Sequence, residues 1–88
     1  MPYIKKADRK KFENGLEYLT ANLSDKVSNP GELNYVITKL ILNYASPSGT
    51  NYQVLNDVLG ALEGAKLEFY RRVVSKYEDE KIAANGDV

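Results

Sequence analysis

The chain has 88 residues, with 12 Lys or Arg balanced by 12 Asp or Glu, so its formal net charge is zero and no bulk field draws it to nucleic acid, to an anionic membrane or to a basic partner. It contains neither cysteine nor histidine, which excludes disulfides, thiolate chemistry and Cys- or His-ligated metals, and removes the commonest general base. A single domain of this size buries only about 60% of the surface its unfolded chain exposes, and oligomerisation is a usual source of further stability.

Residues 1–7 read as a short arm without the apolar core of a leader peptide, and no run approaches the length of a membrane span. An intracellular protein with no membrane partner is the expectation. Phe12, Leu16, Leu19 and Leu23 fall on one stripe behind Asp8, which predicts a first helix over about 8–23 with Asp8 as its cap. Gly15 inside it signals a close contact or an irregularity.

Asn29, Pro30 and Glu32 form a second start signal, because proline suits the first helical position and Glu32 stands where a capping box needs it. The apolar face of Leu33, Val36, Ile37, Leu40, Ile41 and Tyr44 carries that helix over about 30–45. Pro47 and Gly49 mark a loop over 46–50. Thr50 and Gln53 read as a further capping box.

A long amphipathic helix over about 51–75 then follows, its stripe made by Leu55, Leu59, Leu62, Ala65, Phe69 and Val73. Gly60 and Gly64 stand four apart on it, spaced for close approach of another helix. The stripe thins near Ser75, beyond which the helix continues or restarts after a bend, giving a short fourth helix over about 77–84. Asn85 and Gly86 stop it and leave the tail 85–88. The predicted fold is an all-α single domain, a small bundle of three main helices.

The densest functional grouping is Glu68, Tyr70, Arg71 and Arg72, and Tyr77, Glu78 and Asp79 in the C-terminal segment join it as candidate ligand- or partner-binding residues. Adjacent arginines beside a tyrosine can grip a phosphate or carboxylate, while Glu68 and Arg72 also have the spacing of an ordinary helical ion pair. Glu32, Glu63 and Glu68 could hold magnesium in the manner of an all-α nucleotide pyrophosphohydrolase, but the five-residue step from Glu63 to Glu68 turns them to different sides of a helix. No metal ligand, catalytic residue or cofactor is assigned. The basic run Lys5, Lys6, Arg9, Lys10 and Lys11 lacks the interleaved aromatics of a nucleic-acid surface, and Glu78, Asp79 and Glu80 offer it a complementary acidic cluster.

The strings PGELNYVITKLI, LNDVLGALEGAKLEFYRRVV and YEDEKIAANGDV, with the opening PYIKKADR, resemble a family of small uncharacterised phage and bacterial proteins, a domain of unknown function. The resemblance implies a shared pattern through Glu68, Tyr70, Arg71, Arg72, Tyr77, Glu78 and Asp79, a phage-related origin, and no assigned reaction. The expectation that follows from the residues is a self-associating, non-enzymatic helical module, a dimer or higher homo-oligomer, that binds a protein partner or small anionic ligand. The metal-dependent hydrolase and a nucleic-acid accessory protein are the alternatives.

Overall fold

A computed structural model describes residues 3–48 and 51–88, and every regular element within them is helical. The protein is all-α. It divides into two units, Met1–Asn43 and Tyr44–Val88.

The first unit opens with a 3-10 turn, Lys6–Asp8, followed by α1, Lys10–Leu23. Asp8 is therefore not the cap of α1. It closes the preceding turn, its amide bonded to the Lys5 carbonyl at 2.9 Å, and the cap position belongs to Arg9, which makes no side-chain capping bond. The Arg9 side chain donates instead to the Ile4 carbonyl. The polar groups near the end of α1 are satisfied locally, with Thr20 donating to Leu16 and Asn22 to Tyr18.

Gly15 sits in uninterrupted helix, and a Cβ there would meet nothing within 4 Å. Neither the close contact nor the irregularity expected from sequence at Gly15 is present among the described residues. Gly15→Ala should therefore stabilise the protein by about 0.5–1 kcal/mol, through lower entropy of the unfolded chain and better helix propensity. A urea titration that shows no gain would mean that this position is packed in solution.

The second helix, α2, runs Pro30–Ser48 and starts as its sequence dictates. The Asn29 side chain accepts from the Glu32 amide at 2.9 Å. The Glu32 carboxylate reaches back one residue beyond the usual box, accepting from both the amide and the hydroxyl of Ser28 at 2.9 Å. At its other end α2 passes through Ser46 and Pro47, which correct the predicted loop. Proline's fixed φ is helical, and in the last turn its missing N–H removes a single bond.

In the second unit α3 spans Tyr52–Phe69 and α4 spans Ser75–Asn85, joined without a break by a π turn, Tyr70–Val74. Of the two outcomes expected near Ser75, the helix continues, with a change of pitch and no restart. Thr50 of the predicted capping box lies outside the described residues. Asn51 holds the cap of α3, accepting from the Val54 amide at 3.0 Å, while Gln53 donates to Asp57 on the next turn. Gly86, with φ of 86°, ends α4 in the left-handed conformation that glycine tolerates. Gly60 and Gly64 stand in open space, so the close approach that they permit is not used among the described residues.

None of the described residues is buried in the isolated chain. Leu55, Leu59, Phe69 and Val73 of the α3 stripe are all about half exposed or more. No helix among the described residues is long and apolar enough to cross a membrane.

Candidate interaction site

Three of the seven predicted site residues, Tyr70, Arg71 and Arg72, form the π turn, and the other four lie on the helices that flank it. The turn is defined by the Ser75 amide, which donates to the Tyr70 carbonyl five residues back. In a regular α-helix that amide would serve Arg71. The Ser75 hydroxyl does so instead, donating to the Arg71 carbonyl at 2.8 Å, and thereby supports the altered pitch.

A π turn acts as one extra residue in an α-helix. Eight residues at about 100° each leave two side chains about 80° apart, and removing one step brings them within about 20°. Tyr70 and Glu78 are the residues so aligned. The Tyr70 hydroxyl donates to Glu78 Oε2 at 2.6 Å, bridging two turns across the change of pitch.

That bond holds the Tyr70 phenol above its usual ionisation range, with the Glu78 charge and then Asp79 adding to it. The neutral phenol is the favoured donor, so its contribution is fully present below the ordinary tyrosine range and is lost as pH rises through the raised value. Tyrosinate absorbance, taken as the difference between wild type and Tyr70→Phe, should report ionisation above the ordinary range. Glu78→Gln should bring it back, and an unshifted Tyr70 would show that the bond does not persist in solution.

Glu68 and Arg72 form the helical ion pair anticipated from their spacing, Arg72 Nε to Glu68 Oε2 at 2.9 Å. The Glu68 side chain is only 26% exposed, and this restrains the pair more than a fully solvated one. Tyr77 lies beneath the Lys81 ammonium, 5.3 Å from the ring centre. Arg71 finds no side-chain partner among the described residues. The predicted cluster is thus two bonded pairs and a tyrosine–lysine contact along one helix, with neither Arg71 nor Asp79 holding a side-chain partner among the described residues.

The acids considered for magnesium are occupied singly. Glu32 binds Ser28, whose amide and then hydroxyl hold its carboxyl below the usual range. Glu63 lies 3.6 Å from Lys66, and Glu68 pairs with Arg72. Among the described residues no three acidic side chains come together.

The first unit holds a feature that the sequence reading missed. Between α1 and residues 30–43 of α2 run two adjoining hollows of about 420 and 300 Å³, sharing Leu23, Tyr35 and Val36. Leu19 and Leu40 extend the apolar floor, and Lys26 and Lys39 stand along it. Leu19, Leu23, Val36 and Leu40 were legible as core positions. That they would line an open groove depends on the angle between the helices, which periodicity does not encode.

No curated protein and no solved structure matches the chain. Over residues 1–88 it matches a domain of unknown function, DUF6899, and the chain belongs to that family.

Proposed function

We infer that the protein is a small binding module that associates with a second copy through the apolar stripe of α3 and offers the Glu68–Asp79 segment to a protein partner. The observation that carries this is the state of α3. α3, the π turn and α4 form one unbroken helix over residues 52–85, and Leu55, Leu59, Phe69 and Val73 along it stay about half exposed or more. Helices in water owe most of their stability to packing of an amphipathic face.

Charge favours a second copy as the occupant. Residues 1–43 carry seven basic and five acidic side chains, and residues 44–88 carry five and seven. Two neutral copies do not repel, and opposite halves attract. At the Glu68–Asp79 segment the ion pair and the Tyr70–Glu78 bond are already made, which supports a protein surface fitted to a fixed pattern. Arg71, without a side-chain partner among the described residues, also gives a small anion one point of attachment.

The hydrolase reading has less support, since Glu32, Glu63 and Glu68 each have a protein partner. The proposal is tested by thermal unfolding, followed by circular dichroism across the micromolar range. An associating module melts at higher temperature as concentration rises. A midpoint independent of concentration would remove the self-association part.

A further inference from the structure

We propose that residues 70–78 are a two-position switch in which Glu78 takes one of two partners, Tyr70 in the π pitch that the structure contains or Arg71 in a regular α-helix. The pitch thereby sets whether the Arg71 guanidinium is open to a partner. The switch stands whether or not the chain self-associates, and only its consequence for a partner rests on reading the Glu68–Asp79 segment as a binding surface.

A side chain on a regular α-helix returns to nearly the same side after seven residues, a rotation of about 700°. Arg71 and Glu78 have that spacing, so a regular helix lines up the guanidinium with the carboxylate. The π turn takes out one step, and Tyr70, eight residues before Glu78, holds the place instead. The same step carries Arg71 about 100° away from Glu78, and Arg71 is left without a side-chain partner among the described residues. Arginine is at least as long as tyrosine and reaches as far along the helix. One carboxylate therefore has two competing donors, and the pitch decides between them.

The rest of the turn is built to let the pitch change. In the π pitch the Ser75 amide donates to the Tyr70 carbonyl, which takes the amide from the Arg71 carbonyl. The Ser75 hydroxyl donates to that carbonyl at 2.8 Å. Serine makes the same bond to the fourth residue back in a regular helix, so the Arg71 carbonyl stays satisfied in either pitch. Within the second unit α4 touches only the turn, and every residue from 76 onward is exposed. Rotating α4 by about 100° therefore breaks no packing there.

The choice falls to Glu78. Its bond from Tyr70, at 2.6 Å, has a charged acceptor and favours the π pitch. A regular pitch also sets Arg72 and Lys76 four apart on one face, where like charges disfavour it. On the other side stand the restored Ser75–Arg71 amide bond and an ion pair between Arg71 and Glu78. In the π pitch Arg71 is available to a phosphate or carboxylate of a partner, and in the α pitch Glu78 occupies it.

Nuclear magnetic resonance tests this through the scalar coupling across the hydrogen bond of the Ser75 amide. In the wild type the coupling should run to the Tyr70 carbonyl carbon. Tyr70→Phe removes the phenol donor, and the ratio of π to α pitch should fall by about fivefold or more, with a coupling to the Arg71 carbonyl carbon appearing. Tyr77→Phe removes a hydroxyl outside the switch and should leave the wild-type coupling in place. Adding Arg71→Gln to Tyr70→Phe removes the charge of the second donor and should restore part of the π pitch. Circular dichroism checks that each variant keeps its helix. A wild type coupled to Arg71, or a Tyr70→Phe variant with an unchanged π pitch, overturns the switch. Equal pitch in Tyr70→Phe and the double variant overturns Arg71 as the second partner. None of these readings involves association, so a monomeric wild type would overturn the proposed function and leave this inference standing.

Discussion

Leu62→Asp should convert the protein to a monomer at concentrations where the wild type is associated. Leu62 lies near the middle of the α3 stripe and is 37% exposed in the isolated chain, so part of its surface still awaits cover. Fully covering a leucine is worth about 1.5–3 kcal/mol, of which about a third remains to be gained at Leu62, and a carboxylate in its place adds a desolvation cost. In a two-fold pair both copies carry the change, so the dissociation constant should rise by at least about tenfold. Leu67→Asp is the control. It stands on the other side of the same helix and is 56% exposed, and it should leave association unchanged. Equal loss in both variants would point to a general effect of charge on the helix and against the stripe.

The second large effect concerns the start of α2. Asn29→Ala removes the side chain that accepts from the Glu32 amide, and loss of such a cap costs about 0.5–2 kcal/mol. Glu32 adds a pH dependence. Its carboxyl is held below the usual range by the Ser28 amide and hydroxyl, so its contribution is present above the ordinary carboxylate range and disappears as pH falls through the depressed value. Glu32→Gln keeps an acceptor but no charge, and its stability should lack this part of the acid-side decline. Urea midpoints measured from neutral pH into the acid range read both effects. Parallel pH profiles for wild type and Glu32→Gln would show that the Ser28 bonds are not retained in solution.

The helices were legible in the sequence because their signals are local. Asn29, Pro30 and Glu32 announced α2, and the recurring leucines announced α3, since a cap and a 3.6-residue period depend only on near neighbours. The errors lie where local signals compete. Asp8 has the chemistry of a cap, yet the chain makes a 3-10 turn there and starts α1 two residues later. Pro47 reads as a stop, yet α2 runs one residue past it.

The candidate site was legible in part. The ion pair of Glu68 and Arg72 follows from i,i+4 spacing, and the structure contains it. The bond between Tyr70 and Glu78 could not be read, because eight residues do not align on a regular α-helix and only the π turn brings them together. Ser75, which satisfies the Arg71 carbonyl, was likewise invisible as a functional position until the change of pitch was known.

The central claim is that a second copy covers the α3 stripe. Sedimentation equilibrium of the wild-type chain tests it most directly. The account predicts a particle of twice the 9.9 kDa chain mass, or a higher multiple, at micromolar concentrations, dissociating on dilution. A single species of 9.9 kDa across that range, with its helix content intact, would contradict it.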